Sequence, residues 1–173
     1  MKYILATAFV IAIVWAAASM PNSVPTPEVN TVDGEVNIFP TPTNYVTDLN
    51  DSLTDQAEEV MNTTLKDLSD KGTAQIAVMV LDSTAPYSIE EYGIKLADAW
   101  KVGEEGKDNG VILILATEDR KVRIEVGKGV EGIIPDAVAG RIIDEEMIDS
   151  LKIGDWDSAV LLGVGEIINR LTK

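Results

Sequence analysis

Two short runs constrain this chain more than any other feature. Gln75–Leu81 reads Q-I-A-V-M-V-L and Val111–Ala116 reads V-I-L-I-L-A, apolar at almost every position. A strand with one wet face alternates polar and apolar residues. A short run without alternation is a strand covered on both faces, in the middle of a sheet. Between the runs, Ser88-Ile89-Glu90-Glu91 has the form of a capping box. The helix it opens carries Ile89, Tyr92, Leu96, Ala99 and Trp100 on one face and stops before Gly103. A strand–helix–strand unit favours a parallel pair joined by a right-handed crossover. The expected fold class is therefore α/β: a three-layer α/β/α sandwich, a small mixed sheet with helices on both faces.

The mixed character comes from the next segment. After the polar turn Thr117–Arg120, Lys121–Val126 alternates, with Val122, Ile124 and Val126 facing one way and Lys121, Arg123 and Glu125 the other. That pattern predicts a half-exposed strand antiparallel to its predecessor. Upstream, Ser52 reads as an N-cap with an acid, Asp55, at the third position. Leu53, Ala57, Val60, Met61, Leu65 and Leu68 then recur at helical spacing, and Gly72 is the stop. Downstream, Asp136 reads as the N-cap of a helix with the stripe Val138, Ile142, Met147 and Leu151. Gly154-Asp155 breaks and caps again, and a last helix buries Trp156, Val160, Val164, Ile167, Ile168 and Leu171. Trp100 and Trp156 read as core.

The amino-terminal third is of another kind. Residues 1–20 carry Lys2 and a nearly unbroken apolar run, Ile4–Ala18, with Ala16-Ala17-Ala18 as a small-residue cleavage site. They read as a signal peptide or an uncleaved N-terminal anchor, and either places the rest outside the cytoplasm. Membrane attachment is expected only through residues 1–20. Residues 21–44 form a Pro/Thr-rich linker holding five of the seven prolines, within which Val36–Phe39 has the composition of an edge strand. The folded domain is residues 45–173.

Composition narrows the chemistry. The formal net charge is −15, which excludes nucleic acid as a partner, because phosphate binding needs clustered Lys and Arg. With no cysteine and no histidine, thiolate sites, Ser-His-Asp catalysis and histidine-ligated zinc are excluded. Any metal must be held by oxygen, which suits calcium or magnesium. Gly127-Lys128-Gly129-Val130-Glu131-Gly132 matches G-x-G-x-x-G. However, Ile133-Ile134-Pro135 delay the following helix, and the preceding strand is the second arm of a hairpin. No nucleotide is expected there. The hairpin brings Lys107-Asp108-Asn109-Gly110 near Gly129–Asp136, so Asp108, Asn109, Glu131 and Asp136 are candidate ligands for a calcium-sized ion. Turn chemistry for Asp108-Asn109-Gly110 and helix capping for Asp136 are the alternative roles. Arg123 has two candidate roles, an ion pair with Glu125 or contact with a bound anion.

Val46-Thr47-Asp48, W-K-V-G from Trp100, K-D-N-G-V-I-L-I-L-A from Lys107 and D-R-K-V-R-I-E-V-G-K-G-V-E-G-I-I-P-D-A from Asp119 resemble the TPM domain family over about Tyr45 to Leu171. The resemblance implies an α/β/α sandwich and an extracytoplasmic or lumenal domain. Some members of that family bind calcium at acidic loops, and a plant member is reported to have acid phosphatase activity. On that analogy Asp48 joins Asp108, Asn109 and Asp136 as a metal-site candidate. Asp48 stands apart, since the start of the first helix falls at the sheet edge opposite Asp108. Three functions follow: a calcium-binding interaction or assembly module acting on an envelope or membrane protein; a metal-dependent phosphatase, with Arg123 or Lys128 as the positive clamp; or a purely structural domain.

Overall fold

The computed structural model describes residues 30–32, 35–37 and 39–173. The expectations for residues 1–20 lie outside those residues, as does much of the 21–44 linker. Among the described residues no helix is long and apolar enough to cross a membrane. β1 (Asn30–Val32) and β2 (Glu35–Asn37) pair antiparallel with each other. The expected edge strand at Val36–Phe39 is thus part of a separate two-stranded sheet, not an addition to the main one.

The main sheet has four strands in spatial order β3-β4-β5-β6: Val46–Asp48, Gln75–Leu81, Gly110–Ala116 and Lys121–Val126. β3, β4 and β5 run parallel and β6 antiparallel. The two unbroken apolar runs are the two central strands. Alternate β4 and β5 residues feed two separate cores. Ile76, Val78, Val80, Val111, Leu113 and Leu115 face α1 (Asp55–Asp70) and the carboxyl-terminal helices, whereas Met79, Leu81, Ile112 and Ile114 face α2 (Ile89–Trp100). Each fully buried Val, Leu or Ile contributes about 1.5–3 kcal/mol relative to exposure. The chain is an α/β sandwich of three layers.

This arrangement departs from the right-handed crossover rule in one place. Both parallel connections step one strand in the same direction, yet α1 and α2 lie on opposite faces. The two crossovers therefore have opposite hands, and one of them is left-handed.

Several element ends differ from the sequence reading for identifiable reasons. Helix α1 is capped by Thr54, not Ser52, with the Thr54 hydroxyl accepting the Ala57 N–H at 3.3 Å. Ser88 and Glu91 complete the capping box of α2 as read. Asp136 is the first residue of α3 (Asp136–Ile142) and not its N-cap; Pro135 holds the cap position and makes no side-chain cap. The expected single helix after Pro135 is three pieces: α3, a π-helical turn Ile143–Met147 and α4 (Ile148–Ile153). Gly154 closes α4 in the left-handed region, and Asp155 caps α5 (Trp156–Leu171) by accepting the Ser158 N–H at 3.1 Å.

Candidate functional site: two edges of one sheet

The strand register separates the candidate ligands. Asp48 pairs with Val80, toward the carboxyl end of β4, whereas Gln75, at its amino end, pairs with Gly110. Asp48 thus lies at the carboxyl edge of the parallel strands, and Asp108 and Asn109 lie at the amino edge. The five residues Asp48, Asp108, Asn109, Glu131 and Asp136 do not meet in one place.

At the amino edge the two glycine-rich loops do meet. The Gly127 N–H donates to the Gly110 carbonyl at 2.8 Å and the Gly129 N–H to the Asp108 carbonyl at 3.0 Å. A Cβ at Gly127 would overlap the Asp108 carbonyl, and one at Gly129 the Lys107 carbonyl. These two glycines of the G-x-G-x-x-G pattern therefore serve a backbone-to-backbone junction. Asn109 is buried and its amide is spent inside the loop: Oδ1 accepts the Glu104 N–H at 2.8 Å, and Nδ2 donates to the Thr73 carbonyl and Glu104 Oε1, both at 3.4 Å. The Lys107 ammonium and the Asn109 amide hold Glu104 below its usual carboxylate range. Asp108, with φ 51°, lines a broad open cleft of about 820 Å³ shared with Asp98, Lys101, Glu105 and Lys128. Glu131 and Asp136 are exposed and do not line that cleft. Asp136 adds to the field of Arg123, whose guanidinium is held above its usual range first by the bond to Glu125. Arg123 and Glu125 form their ion pair along one strand, under α2, where a Cβ on Gly93 would run into the Glu125 side chain.

The carboxyl edge holds residues that sequence reasoning missed. Three loops leave it: 49–54 after β3, 82–88 after β4 and 117–120 after β5. Asn50 ties all three, because its Nδ2 donates to Asp82 Oδ1 at 2.6 Å and to Thr117 Oγ1 at 2.9 Å. Asp119 adds a second tie, accepting from the Ser83 hydroxyl at 2.8 Å and the Thr84 N–H at 2.9 Å. The Thr84 amide, then the Ser83 hydroxyl, holds Asp119 below the usual carboxylate range. Asp48 accepts the Asn50 N–H at 3.2 Å and the Leu53 N–H at 2.7 Å, which folds the first loop back over its own strand. Glu58 is pushed above its usual value by burial, and further by Asp48, Asp55 and Asp51.

One atom stands out. Asn50 Oδ1 is buried with no hydrogen-bond partner among the described residues, the costly state for a polar group. A flip of the amide gives no relief, since it would turn an oxygen toward the acceptor-only Asp82 carboxylate. The signal for this edge was the place of its residues in the chain. Asn50, Asp82, Thr117 and Asp119 all follow the ends of parallel strands, where open α/β sheets bind ligands. Among the described residues no three acidic side chains come together as a ready-made metal cage. The oxygens that do gather there are mixed: an amide oxygen, a hydroxyl and carboxylates, the donor types that calcium accepts together with water.

The family model for the TPM domain matches residues 46–170. The N-terminal domain of a protein from P. gingivalis, solved by NMR, is 36% identical, with a TM-score of 0.69, covering 75% of this chain and 82% of that one. Two more distant NMR structures share the fold. One is the N-terminal domain of a protein from Corynebacterium glutamicum, with 21% identity, a TM-score of 0.55 and coverage of 70% and 75%. The other is a protein from the psychrophilic bacterium Bizionia argentinensis, with 19% identity, a TM-score of 0.57 and coverage of 69% and 81%. No curated protein matches the chain. With its family pattern spanning the whole sheet and all five α-helices, the chain belongs to the TPM domain family.

Proposed function

We propose that the carboxyl edge of the sheet binds a hard divalent cation, calcium first, and that the chain is a cation-dependent interaction module of the cell envelope. The observation that carries the reading is the buried, partnerless Asn50 Oδ1 beside Asp82. A cation there satisfies that oxygen and offsets the negative field of Asp48, Asp55 and Asp51, which adds to burial in raising the Glu58 carboxyl. Asn50, Asp82, Thr117 and Asp48 would hold it, with water completing the shell. The envelope assignment rests on the export-signal character of residues 1–20, and the partner is a protein of that compartment.

The test is a calcium titration of the full chain followed by amide NMR. Saturable shifts centred on residues 48–51, 82–84 and 117–119, lost in Asp82→Asn, support the reading. Saturation centred on Asp108, Glu131 and Asp136 moves the site to the amino edge. No saturable response up to about 10 mM, beyond the weakest calcium modules, removes the cation. The phosphatase alternative is read in the same sample with p-nitrophenyl phosphate, and turnover that needs both calcium and Asp82 would establish it.

A further inference from the structure

We propose that a second site, the pocket beside Trp156, binds a small organic carboxylate bearing one aryl or branched-alkyl group. The pocket encloses about 200 Å³ and is lined by Leu115, Val122, Ile148, Leu151 and Trp156, with Arg120 and Lys152 beside them. Leu115 is fully buried, and the other four apolar residues are half-buried and open toward solvent. An apolar cavity of roughly 150 Å³ takes up a benzene ring, so this one has room for a single ring or branched chain.

The polar side of the pocket points to an anion. Arg120 sits in the left-handed region at φ 52°, a conformation disfavoured for a side chain of this kind. It closes the β5–β6 turn, and its guanidinium makes no hydrogen bond or ion pair among the described residues. Lys152, exposed, reaches only Asp149 among the described residues, at 3.2 Å. Of the neighbouring carboxylates, Asp119 is engaged with Ser83 and Thr84, Asp155 with Ser158 and Asp157 with Thr54, while Asp149 pairs with Lys152 and exposed Glu118 does not line the pocket. In a chain of net charge −15, Arg120 is thus a cation without an ion pair among the described residues, set beside an apolar pocket with Lys152 as its neighbour. The indole N–H of Trp156 adds a donor. The N–H of Trp100 is taken by the Pro40 carbonyl at 2.7 Å, whereas that of Trp156 has no partner among the described residues. The apolar body of the ligand fills the pocket and its carboxylate meets Arg120, with Lys152 as a second, looser charge. This site does not depend on the cation proposed above.

The experiment is an NMR titration of the full chain with 3-phenylpropionate. The expected result is saturable shifts of the Trp156 indole N–H and the Val122 and Leu151 amides. Arg120→Gln is expected to weaken binding about tenfold, the loss of one charge-assisted contact. The uncharged 3-phenylpropanol should bind about tenfold more weakly, and acetate should not saturate. Because Arg120 closes a turn, Lys152→Gln serves as a second variant, with a smaller loss. Gly-Gly-Phe with a free carboxyl terminus separates the sources of the ligand: tighter binding than the small acid assigns the pocket to peptide termini, weaker binding to free acids. No saturation up to about 10 mM, an affinity too weak to count as a site, overturns the proposal. Equal affinity for the acid and the alcohol, or unchanged binding in both variants, also overturns it.

Discussion

The π turn and α5 interlock at one contact that is open to a quantitative test. Gly163 lies on the buried side of α5, and a Cβ there would stand 2.6 Å from Met147 Sδ and 3.1 Å from its Cγ and Cε. Met147 is fully buried, so its side chain must retreat by about 1 Å to reach ordinary contact distance. Such overpacking costs about 1–3 kcal/mol. Gly163→Ala also recovers about 1 kcal/mol of helix propensity. The net expectation is a destabilisation of about 1 kcal/mol, read in urea as a midpoint lowered by about 0.3–1 M at constant slope. Met147→Ala alone is expected to cost about 2–5 kcal/mol as a buried truncation. In the double variant the added methyl enters vacated space, so the overpacking term disappears and only the helix gain remains. The double variant should then be more stable than Met147→Ala by about 1 kcal/mol, with a coupling of about 1–3 kcal/mol between the sites. If Gly163→Ala instead stabilises by the full helix term and the cycle closes to additivity, the contact does not constrain the core and the argument fails.

Two further predictions concern pH at the carboxyl edge. Asp119 has its folded pKa lowered below the ordinary 3.8, chiefly by the Thr84 amide, so the stability it supplies is present above that value and lost as pH falls through the folded pKa; chemical denaturation should show the gap between wild type and Asp119→Asn closing below pH 3.8. Glu58 is the opposite case, raised above 4.5 chiefly by burial. Its carboxylate destabilises the fold at neutral pH and the penalty vanishes as pH falls to that value, so Glu58→Gln should be the more stable protein at pH 7 and equal to wild type below pH 4.5.

How much of this was legible depended on the length of each signal. β4 and β6 ended where their patterns ended, because seven and six residues are enough to show unbroken or alternating burial. β3 has three residues, too few for a period, and without it the carboxyl edge lacked its first strand. The separation of Asp48 from Asp108 was legible from topology and holds in the register, but without β3 nothing gathered neighbours around Asp48, and Asn50, two residues on, went unread. Asp108-Asn109-Gly110 carried the opposite ambiguity, since ligand and turn residues look alike. Only the distances show the Asn109 amide consumed by Glu104 and Thr73. The π turn left a trace in the stripe itself. Val138 to Ile142 and Met147 to Leu151 are steps of four, but Ile142 to Met147 is a step of five, the spacing of an i→i+5 turn. The pocket beside Trp156 had no linear signature, because its walls come from β5, β6, α4 and α5.

The segment that enters the domain has a mechanical consequence. Phe39 is buried edge-on against Tyr92, with ring centroids 5.1 Å apart, and the Pro40 carbonyl is held by the Trp100 indole. Both partners belong to α2, whereas Phe39 and Pro40 lie only seven and six residues ahead of Val46, the first residue of β3. Tension arriving from the amino-terminal side therefore loads an aromatic latch on α2 before it reaches Val46. β3, a three-residue edge strand that would otherwise peel away one hydrogen bond at a time, is shielded from the pull, and the carboxyl edge of the sheet that begins at Asp48 keeps its shape under load.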